Sequence, residues 1–437
     1  PYTSAPNVKP YIPSPVVYEQ LPSATLIKKN EIIDLTGKLA ADGTLRWAPP
    51  PGKWTIMRFG TRNNGAITRP APFPGLGFEA DKFDTVAIDA HLDHYVGTLL
   101  SKTGKPNPAS AGGLKRLHMD SWEMGAQNWT RNFRKEFIKR RGYDPLPFYP
   151  TYAGKVVGSL ELSERFLWDL RQTSQELVLA YHAEQVKKYA HRNGLSLSIE
   201  PYDMNPTSDL ELGAVADVPM CEFWSKGFGF NSAFSCIEAV SVAHVGGHAL
   251  VPAEAFTAGN DEGWRQYPGS MKNQGDWAFA AGINRFVFHT FQNQLLADSL
   301  KPGMTMGPYG VHWDRTETWW DMASADHEYL ARCQFLLQRG VTVADVCFLA
   351  GEGAPYVFRP PPSATTGNPP DHGGHNFDGC APETLLERAE VKDGQIVFPG
   401  GTRYRILVLP AQRTMTPALL KKIKSLVQAG ATVFGPP

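Results

Sequence analysis

The stretch NGLSLSIEPYD, residues 193–203, contains the unit on which the fold of this sequence depends. Asn193-Gly194 ends a long helical pattern, Leu195 to Ile199 is a short apolar strand, and Glu200 stands where that strand ends. The same unit recurs at four other places: Lys115–Met119 before Asp120-Ser121-Trp122-Glu123, Val218–Cys221 before Glu222, Leu250–Ala253 before Glu254, and Arg285–Phe288 before His289. Strands that alternate with helices predict a parallel sheet, either closed into a barrel or open and doubly wound.

Helical patterns fill the intervals between these strands. Residues 84–100 have helical spacing, and Ser163 is placed to cap a long helix that carries Phe166, Leu170 and Leu177 near one face. The alternating part of the sequence covers residues 63–340. It is therefore predicted to form the main α/β domain.

The N-terminal flank, residues 1–62, has a different pattern. Residues 31–35 and 54–59 are strand-like, and Asp42-Gly43 between them is a hairpin turn signal. This flank is predicted to be a partial β-sandwich-like segment.

The C-terminal flank, residues 341–437, returns to strand and helix patterns. A loop rich in Pro and Gly, 360–379, separates the strand-like run 343–349 from the run 404–409. Thr416 can cap the next helix, with Pro417 at its first position, and the strand-like run 431–434 follows. The pattern predicts the start of an open, flavodoxin-like α/β domain that is truncated.

Composition excludes several classes of protein. The chain has 437 residues, of which 42% are hydrophobic, and this content is enough to fill a large core. Lys+Arg and Asp+Glu are both 43, and no basic stripe with interleaved aromatics stands out, so a nucleic-acid partner is not expected. No apolar run approaches the roughly 18 residues of a membrane span. The five cysteines are scattered without CxxC spacing, which argues against a zinc knuckle or a disulfide framework.

The two ends of the sequence suggest that it comes from a longer chain. It begins with Pro1, without an initiator Met or a signal peptide, and stops at Pro437 directly after a strand-like run. A targeting segment would have been removed with the missing N-terminus.

The strand-end glutamates are the strongest indication of function. In a parallel barrel, catalytic side chains gather at the carboxyl ends of the strands, and here Glu123, Glu200, Glu222 and Glu254 all take that position. Cleavage of a glycosidic bond needs one protonated carboxyl for the leaving oxygen and a second carboxylate that activates water or attacks the sugar. The pattern therefore indicates a glycosidase-like active site.

Two tryptophans stand beside these carboxyls. Trp122 precedes Glu123, and Trp224 follows Glu222 by two residues. Apolar neighbours raise the pKa of a carboxyl by desolvation, which suits a general acid, and indole faces also suit sugars. The alternative is that both rings belong to the core.

Polar residues near the same strand ends extend the candidate site. Alternation along a strand would direct His118 and Asp120 to one face, and Asp120 and Glu200 offer the oxygen ligands that Ca²⁺ prefers. The residues alone favour a hydrogen-bonded network without a metal over a cation site. His289 and Asn293, in the segment HTFQNQ, offer groups that can bind sugar hydroxyls.

Six motifs in order resemble the α-L-rhamnosidases of glycoside hydrolase family 106. They are LHMDSWEMGAQNWT (Leu117–Thr130), SIEPYD (Ser198–Asp203), ADVPMCEFW (Ala216–Trp224), PAEAFTA (Pro252–Ala258), GINRFVFHTFQNQ (Gly282–Gln294) and PGMTMGPYGVHWDR (Pro302–Arg315). The resemblance extends from about Ile32 to the end of the chain. It implies a (β/α)8 barrel of the TIM type over 63–340, within a longer bacterial enzyme that is periplasmic or secreted.

The resemblance also implies a reaction. It is inverting hydrolysis of terminal α-L-rhamnosyl residues in an oligosaccharide, polysaccharide or glycoside, assisted by Ca²⁺. Glu123 resembles the general acid, and Glu222 and Glu254 resemble the pair that supplies the base, with Glu254 preferred. Asp120 and Glu200 are the expected calcium ligands, and His118, Trp122, Trp224, His289 and Asn293 are expected to bind the sugar.

Inversion predicts that the acid and base carboxyls lie about 6.5–9.5 Å apart. A retaining barrel glycosidase of the β-galactosidase type and an inactive carbohydrate-binding barrel remain the alternatives.

Overall fold

The computed structural model describes residues 17–68, 71, 73–107, 109, 110, 112–122, 127–202, 206–225, 233–307 and 309–435. The α-helices of these residues are α1 Thr85–Leu92, α2 Thr98–Thr103, α3 Phe133–Arg141, α4 Leu160–Leu177, α5 Glu184–Arg192, α6 Asp209–Val215, α7 Ala233–Gly246, α8 Pro268–Ala280, α9 Ala323–Leu337, α10 Pro382–Arg388 and α11 Pro417–Gln428. Two π-helical turns, Asp93–Gly97 and Val178–Ala183, join α1 to α2 and α4 to α5.

The strands of the described residues are short. They are β1 Leu26–Ile27, β2 Arg116–Met119, β3 Val156–Val157, β4 Ser196–Ile199, β5 Val218–Pro219, β6 Cys221–Trp224, β7 Pro252–Thr257, β8 Arg285–Phe288, β9 Val346–Leu349, β10 Thr365–Thr366, β11 Asp371–His372, β12 Phe377–Cys380, β13 Glu390–Lys392, β14 Gln395–Val397, β15 Arg403–Tyr404, β16 Ile406–Val408 and β17 Thr432–Phe434.

Parallel strands in chain order form the central part of the fold. One sheet has the order β2-β4-β5 and another the order β6-β7-β8, and every pairing in them is parallel. Met220 alone separates β5 from β6, and its N–H donates to the Ile199 carbonyl at 2.9 Å. The two sheets thus continue one another. The predicted alternation of parallel strands and helices is confirmed for this part of the chain.

Helices pack on this sheet through apolar side chains. Phe223, Phe256 and Phe286 from β6, β7 and β8 share one core cluster with residues of α7, α8 and α9. Leu197 and Ile199 of β4 belong to a second cluster with residues of α1 and α5. Burial of these side chains, at about 1.5–3 kcal/mol for each large one, holds the helices against the strands.

The C-terminal flank forms a four-stranded parallel sheet with the order β12-β9-β16-β17, beside the antiparallel β13-β14-β15. Thr416 caps α11 as predicted, because its Oγ1 accepts from the Leu419 N–H at 3.3 Å. Helix α7 joins this sheet to the central strands. Its His244 Nδ1 lies 2.8 Å from Asp378 Oδ1 of β12.

Three local predictions differ from the structure. The strand-like run 31–35 starts in one 3-10 turn and ends before another, and 54–59 is in no sheet, since neither run has a neighbouring strand among the described residues with which to form a ladder. The pair β1 and β3 instead attaches the N-terminal flank to the helical part. Helix α4 is capped by Ser159 rather than Ser163, because the buried Ser163 hydroxyl binds the Val157 backbone.

The described residues were also compared with the expectations for membrane spans and disulfide bonds. Within the described residues, no helix combines the length and the apolar character needed to cross a bilayer. All five cysteines are free thiols.

Candidate active site

Two glutamates lie side by side on neighbouring strands. β6 and β7 pair in parallel with Glu222 opposite Glu254, and strands paired this way run about 4.8 Å apart with matched residues on the same face. Both glutamates were predicted at strand ends, but both lie inside their strands, since β6 continues to Trp224 and β7 to Thr257. The prediction ended each strand at its first charged residue, although a strand that lines a polar site can continue through a carboxylate.

The environment of Glu222 favours its protonated form. The residue is only 8% exposed, and burial, followed by the charge of Glu254, raises its pKa to about 7. Nearby polar groups, including the Tyr202 hydroxyl 3.1 Å away, act in the opposite direction. A carboxyl with this pKa can hold or release a proton at neutral pH, as acid–base catalysis requires.

A β-bulge shapes the strand that carries Glu254. Phe223 pairs with Ala255, but the next residue, Trp224, pairs with Thr257, so Phe256 is an extra residue in β7. Phe256 has a φ of 62°, in the left-handed region, which costs about 1–3 kcal/mol for a residue other than glycine. Its buried ring packs edge-on against Phe223 at 5.0 Å, and this packing offsets the strain.

A third carboxyl group, directly after β4, is connected to this pair through Tyr202. Glu200 is buried, and Tyr202 Oη donates to its Oε2 at 2.8 Å and lies 3.1 Å from Glu222 Oε2. Burial, followed by the charges of Glu254 and Asp120, raises the pKa of Glu200 well above its usual value. A buried carboxylate among other carboxylates needs either a proton or a cation.

The residues around Glu200 fit a cation. One ligand atom from each of His118, Asp120 and Glu200 lies within 4.8 Å of the other two. Glu200 Oε1 is buried, lies 3.9 Å from His118 Nε2 and accepts no hydrogen bond from the described residues. His118 Nδ1 is held by Ser198 Oγ at 2.9 Å, which leaves Nε2 to face the carboxylates. Carboxylate oxygens are typical ligands of Ca²⁺, whereas the imidazole of His118 is the least typical calcium ligand of the three.

His289 lies on the other side of Glu254. Its Nε2 is 3.9 Å from Glu254 Oε1, and burial lowers the pKa of the ring, so it is neutral at pH 7. Gly310 packs directly against it: a Cβ at this glycine, whose φ is 88°, would lie 2.5 Å from His289 Nδ1. Only a glycine allows this approach.

A partly exposed indole adjoins the same loop. Trp264 stacks on the buried His312 ring with centroids 3.8 Å apart, and about 40% of its surface is exposed. The N–H of Val311, next to His312, donates to the His289 carbonyl at 2.8 Å. Trp264 is therefore connected, through His312 and Val311, to the residue that adjoins Glu254.

Comparison with known proteins identifies the family. A family model described as alpha-L-rhamnosidase, that of glycoside hydrolase family 106, matches residues 10–437. The chain belongs to this family. The resemblance seen in the six sequence motifs is therefore confirmed, and the chain is a member of a family of glycoside hydrolases.

Two relatives extend the comparison. The solved rhamnosidase from Novosphingobium sp. PP1Y has the same mixed α/β fold, with a TM-score of 0.79 and 32% identity over 94% of this chain and 40% of that one. A protein of Formosa agariphila named "Putative beta-glucuronidase" is 38% identical over 95% of this chain and 34% of its own length. The chain thus spans between a third and two fifths of these relatives.

The structure brings together most of the site residues expected for this family member. Glu222, Glu254 and His289 adjoin one another, and His118, Asp120 and Glu200 form the neighbouring cluster. Trp224 is the last residue of β6, two positions after Glu222, and is partly buried. Glu123 is among residues 123–126, which lie outside the described residues. Its distance from the base therefore stays a prediction.

One expected sugar-binding residue lies in the core. Trp122 is 6% exposed and belongs to a core cluster with Phe133 and Phe166, where its ring meets His182 edge-on at 5.8 Å. Asn293 is exposed in the loop after β8, and its contact with the sugar stays a prediction.

Three further residues of the site were not predicted from the sequence. Tyr202 could have been found, because it lies in the SIEPYD motif two residues after Glu200. Trp264 and Thr257 give no signal of their own, since the stacking of the first and the bulge beside the second depend on tertiary packing.

Proposed function

We propose that this chain is the catalytic part of an inverting, calcium-assisted α-L-rhamnosidase. The observation that carries the proposal is the in-register pair Glu222 and Glu254, in which burial and the charge of Glu254 raise the pKa of Glu222 to about 7, within a chain of family 106. We further propose that the parallel strands close into a (β/α)8 barrel. Support comes from the continuous order of β2, β4, β5–β6, β7 and β8.

The reaction is a single displacement at the anomeric carbon. Glu123 gives its proton to the glycosidic oxygen as the bond between that oxygen and the anomeric carbon breaks. A water molecule attacks the opposite face, and Glu254 takes the proton that this water loses. Glu222, with a pKa of about 7, retains a proton for much of the cycle and limits the negative charge beside Glu254. The product sugar has the β configuration.

Asp120 and Glu200, with His118 beside them, would hold the calcium ion. When bound, Ca²⁺ supplies a positive charge that can orient sugar hydroxyls and offset the carboxylates around Glu200. The buried Glu200 Oε1 without a hydrogen-bond donor is the observation that favours a cation here.

The charge of the site favours a neutral sugar over a uronic acid. The largest electrostatic influences on Glu200 and Glu222 come from other carboxylates, Glu254 and Asp120, and His289 is neutral at pH 7. A glucuronide would bring one more carboxylate into this field, whereas a rhamnoside brings none. The name of the Formosa agariphila relative makes β-glucuronide cleavage the second candidate.

A comparison of two substrates tests the proposal. Purified protein is given an aryl α-L-rhamnoside and the matching aryl β-D-glucuronide, and release of the phenol is followed. We expect hydrolysis of the rhamnoside alone, and a fall in kcat of about 10²–10⁴-fold for Glu254→Gln, as loss of a general base produces. Glu328→Gln, at an exposed site on α9, is the matched control and keeps full activity. Cleavage of only the glucuronide would overturn the proposal.

A further inference from the structure

The bulge in β7 determines where the Thr257 hydroxyl points. Glu254 and Thr257 are three positions apart, and in a regular strand an odd separation places side chains on opposite faces. The extra residue, Phe256, resets the alternation, so Thr257 returns to the face of Glu254. Its Oγ1 donates to Glu254 Oε1 at 2.8 Å.

A threonine hydroxyl has one proton to donate, and here Glu254 accepts it. A hydrogen bond donated to a carboxylate stabilises the ionised form of that carboxylate. Glu222 lies opposite Glu254 in register, and the charge of Glu254 raises the pKa of Glu222. When the two carboxyls hold one proton between them, the proton is therefore favoured on Glu222.

We propose that Thr257 is a positioning residue that keeps Glu254 ionised as the base and places the proton of the pair on Glu222. The role of Glu254 as the base rests on the proposed function. Which of the two carboxyls holds the proton, however, can be measured without any substrate. Thr257 is 3% exposed, so no bulk water competes for its hydroxyl.

Two other described groups face the pair. Tyr202, which follows β4, lies 2.8 Å from Glu200 and 3.1 Å from Glu222. His289, which follows β8, lies 3.9 Å from Glu254 Oε1. Both residues are unchanged in the Thr257 variants, so the contribution of the Thr257 hydroxyl can be measured against them.

Two substitutions separate positioning from packing. Thr257→Val keeps the shape and removes the hydroxyl, while Thr257→Ser keeps the hydroxyl and removes a methyl group. Thr402→Val is the matched control, because Thr402 is also buried and donates to the His244 carbonyl at 2.7 Å in the C-terminal unit. If Thr257→Val does not fold, Thr257→Ala serves in its place.

The measurement has two readouts. The first is the acid limb of the pH profile of kcat/KM on an aryl α-L-rhamnoside, which reports ionisation of the base. The second is a pH titration of the carboxyl infrared bands without substrate, with Glu222→Gln and Glu254→Gln used to assign the bands.

We expect Thr257→Val to raise the midpoint of the acid limb by about one pH unit, and to raise the titration midpoint of the Glu254 band by the same amount. This shift corresponds to the loss of one charge-assisted hydrogen bond. Thr257→Ser and Thr402→Val leave both near wild type. An unchanged limb and unchanged bands in Thr257→Val, with activity lowered equally at all pH values, would overturn the proposal. If wild type hydrolyses no rhamnoside, the proposed function fails, and the infrared titration still decides the role of Thr257.

Discussion

Replacement of Glu222 by glutamine is expected to stabilise the protein while it impairs the reaction. Glu222 is buried beside Glu254, and its ionised form is unfavourable in that position. Glutamine has nearly the same shape and carries no charge. Groups placed for catalysis commonly lower stability, and this carboxyl is the clearest instance in the chain.

The size of the effect follows from the pKa. A rise from 4.5 to about 7 in the folded state corresponds to about 3 kcal/mol, at 1.36 kcal/mol for each unit. Because the folded pKa is raised, the folded state binds more protons than the unfolded chain between these values. The free energy of unfolding therefore falls as pH rises through this window, and the full loss is present above pH 7. Below pH 4.5 both states are protonated and the loss disappears.

Urea unfolding of wild type and Glu222→Gln at about pH 4 and pH 8 measures this difference. The stability of the variant relative to wild type should rise by roughly 3 kcal/mol between the two pH values. Buried carboxyls outside the Glu222–Glu254 pair titrate in both proteins and cancel in the comparison. Glu328→Gln, where the side chain is 69% exposed, should show no such rise. An equal pH dependence for wild type and Glu222→Gln would refute the electrostatic account of the pair.

Three other changes test separate parts of the structure. Calcium at about 100 times its Kd should stabilise wild type by about 2.7 kcal/mol and raise its Tm, and Asp120→Asn should abolish most of that rise. An equal rise in Tm for both proteins would argue against a cation at His118, Asp120 and Glu200. Trp264→Ala should raise KM roughly tenfold with a smaller change in kcat, because an exposed stacking face is lost; steady-state kinetics with an unchanged KM would contradict this. Tyr404→Phe removes the 2.8 Å hydrogen bond to the buried Asp378 and should lower the free energy of unfolding, measured in urea, by about 1–3 kcal/mol. A loss below about 0.5 kcal/mol would show that this hydrogen bond contributes little to stability.

Much of the fold follows from local pattern. Strands β2, β4 and β8 were predicted to within a residue or two, because each is a short apolar run with clear boundaries. The N-terminal flank was predicted incorrectly at 31–35 and 54–59, since apolar residues at alternate positions do not supply the neighbouring strand that a ladder requires. The Leu26–Ile27 pairing with Val156–Val157 joins residues about 130 positions apart, and no local pattern reveals it.

The candidate site could be predicted in part for a similar reason. Carboxylates such as Glu222 and Glu254 stand out against apolar strands, so sequence alone locates them. Whether an indole next to a carboxyl lies in the core depends on packing, which is why Trp122 is buried in a core cluster and Trp224 is only partly buried despite similar sequence contexts. The hydrogen bond from Thr257 to Glu254 depends on a one-residue bulge, in which the extra residue Phe256 packs against Phe223.

The stereochemistry of the first product tests the central claim most directly. An aryl α-L-rhamnoside is mixed with the protein, and proton NMR follows the anomeric signals before mutarotation mixes them. The single displacement assigned to Glu123 and Glu254 predicts that β-L-rhamnose appears first. Initial formation of the α-anomer would mean retention through a covalent intermediate, and it would contradict the roles given to these glutamates.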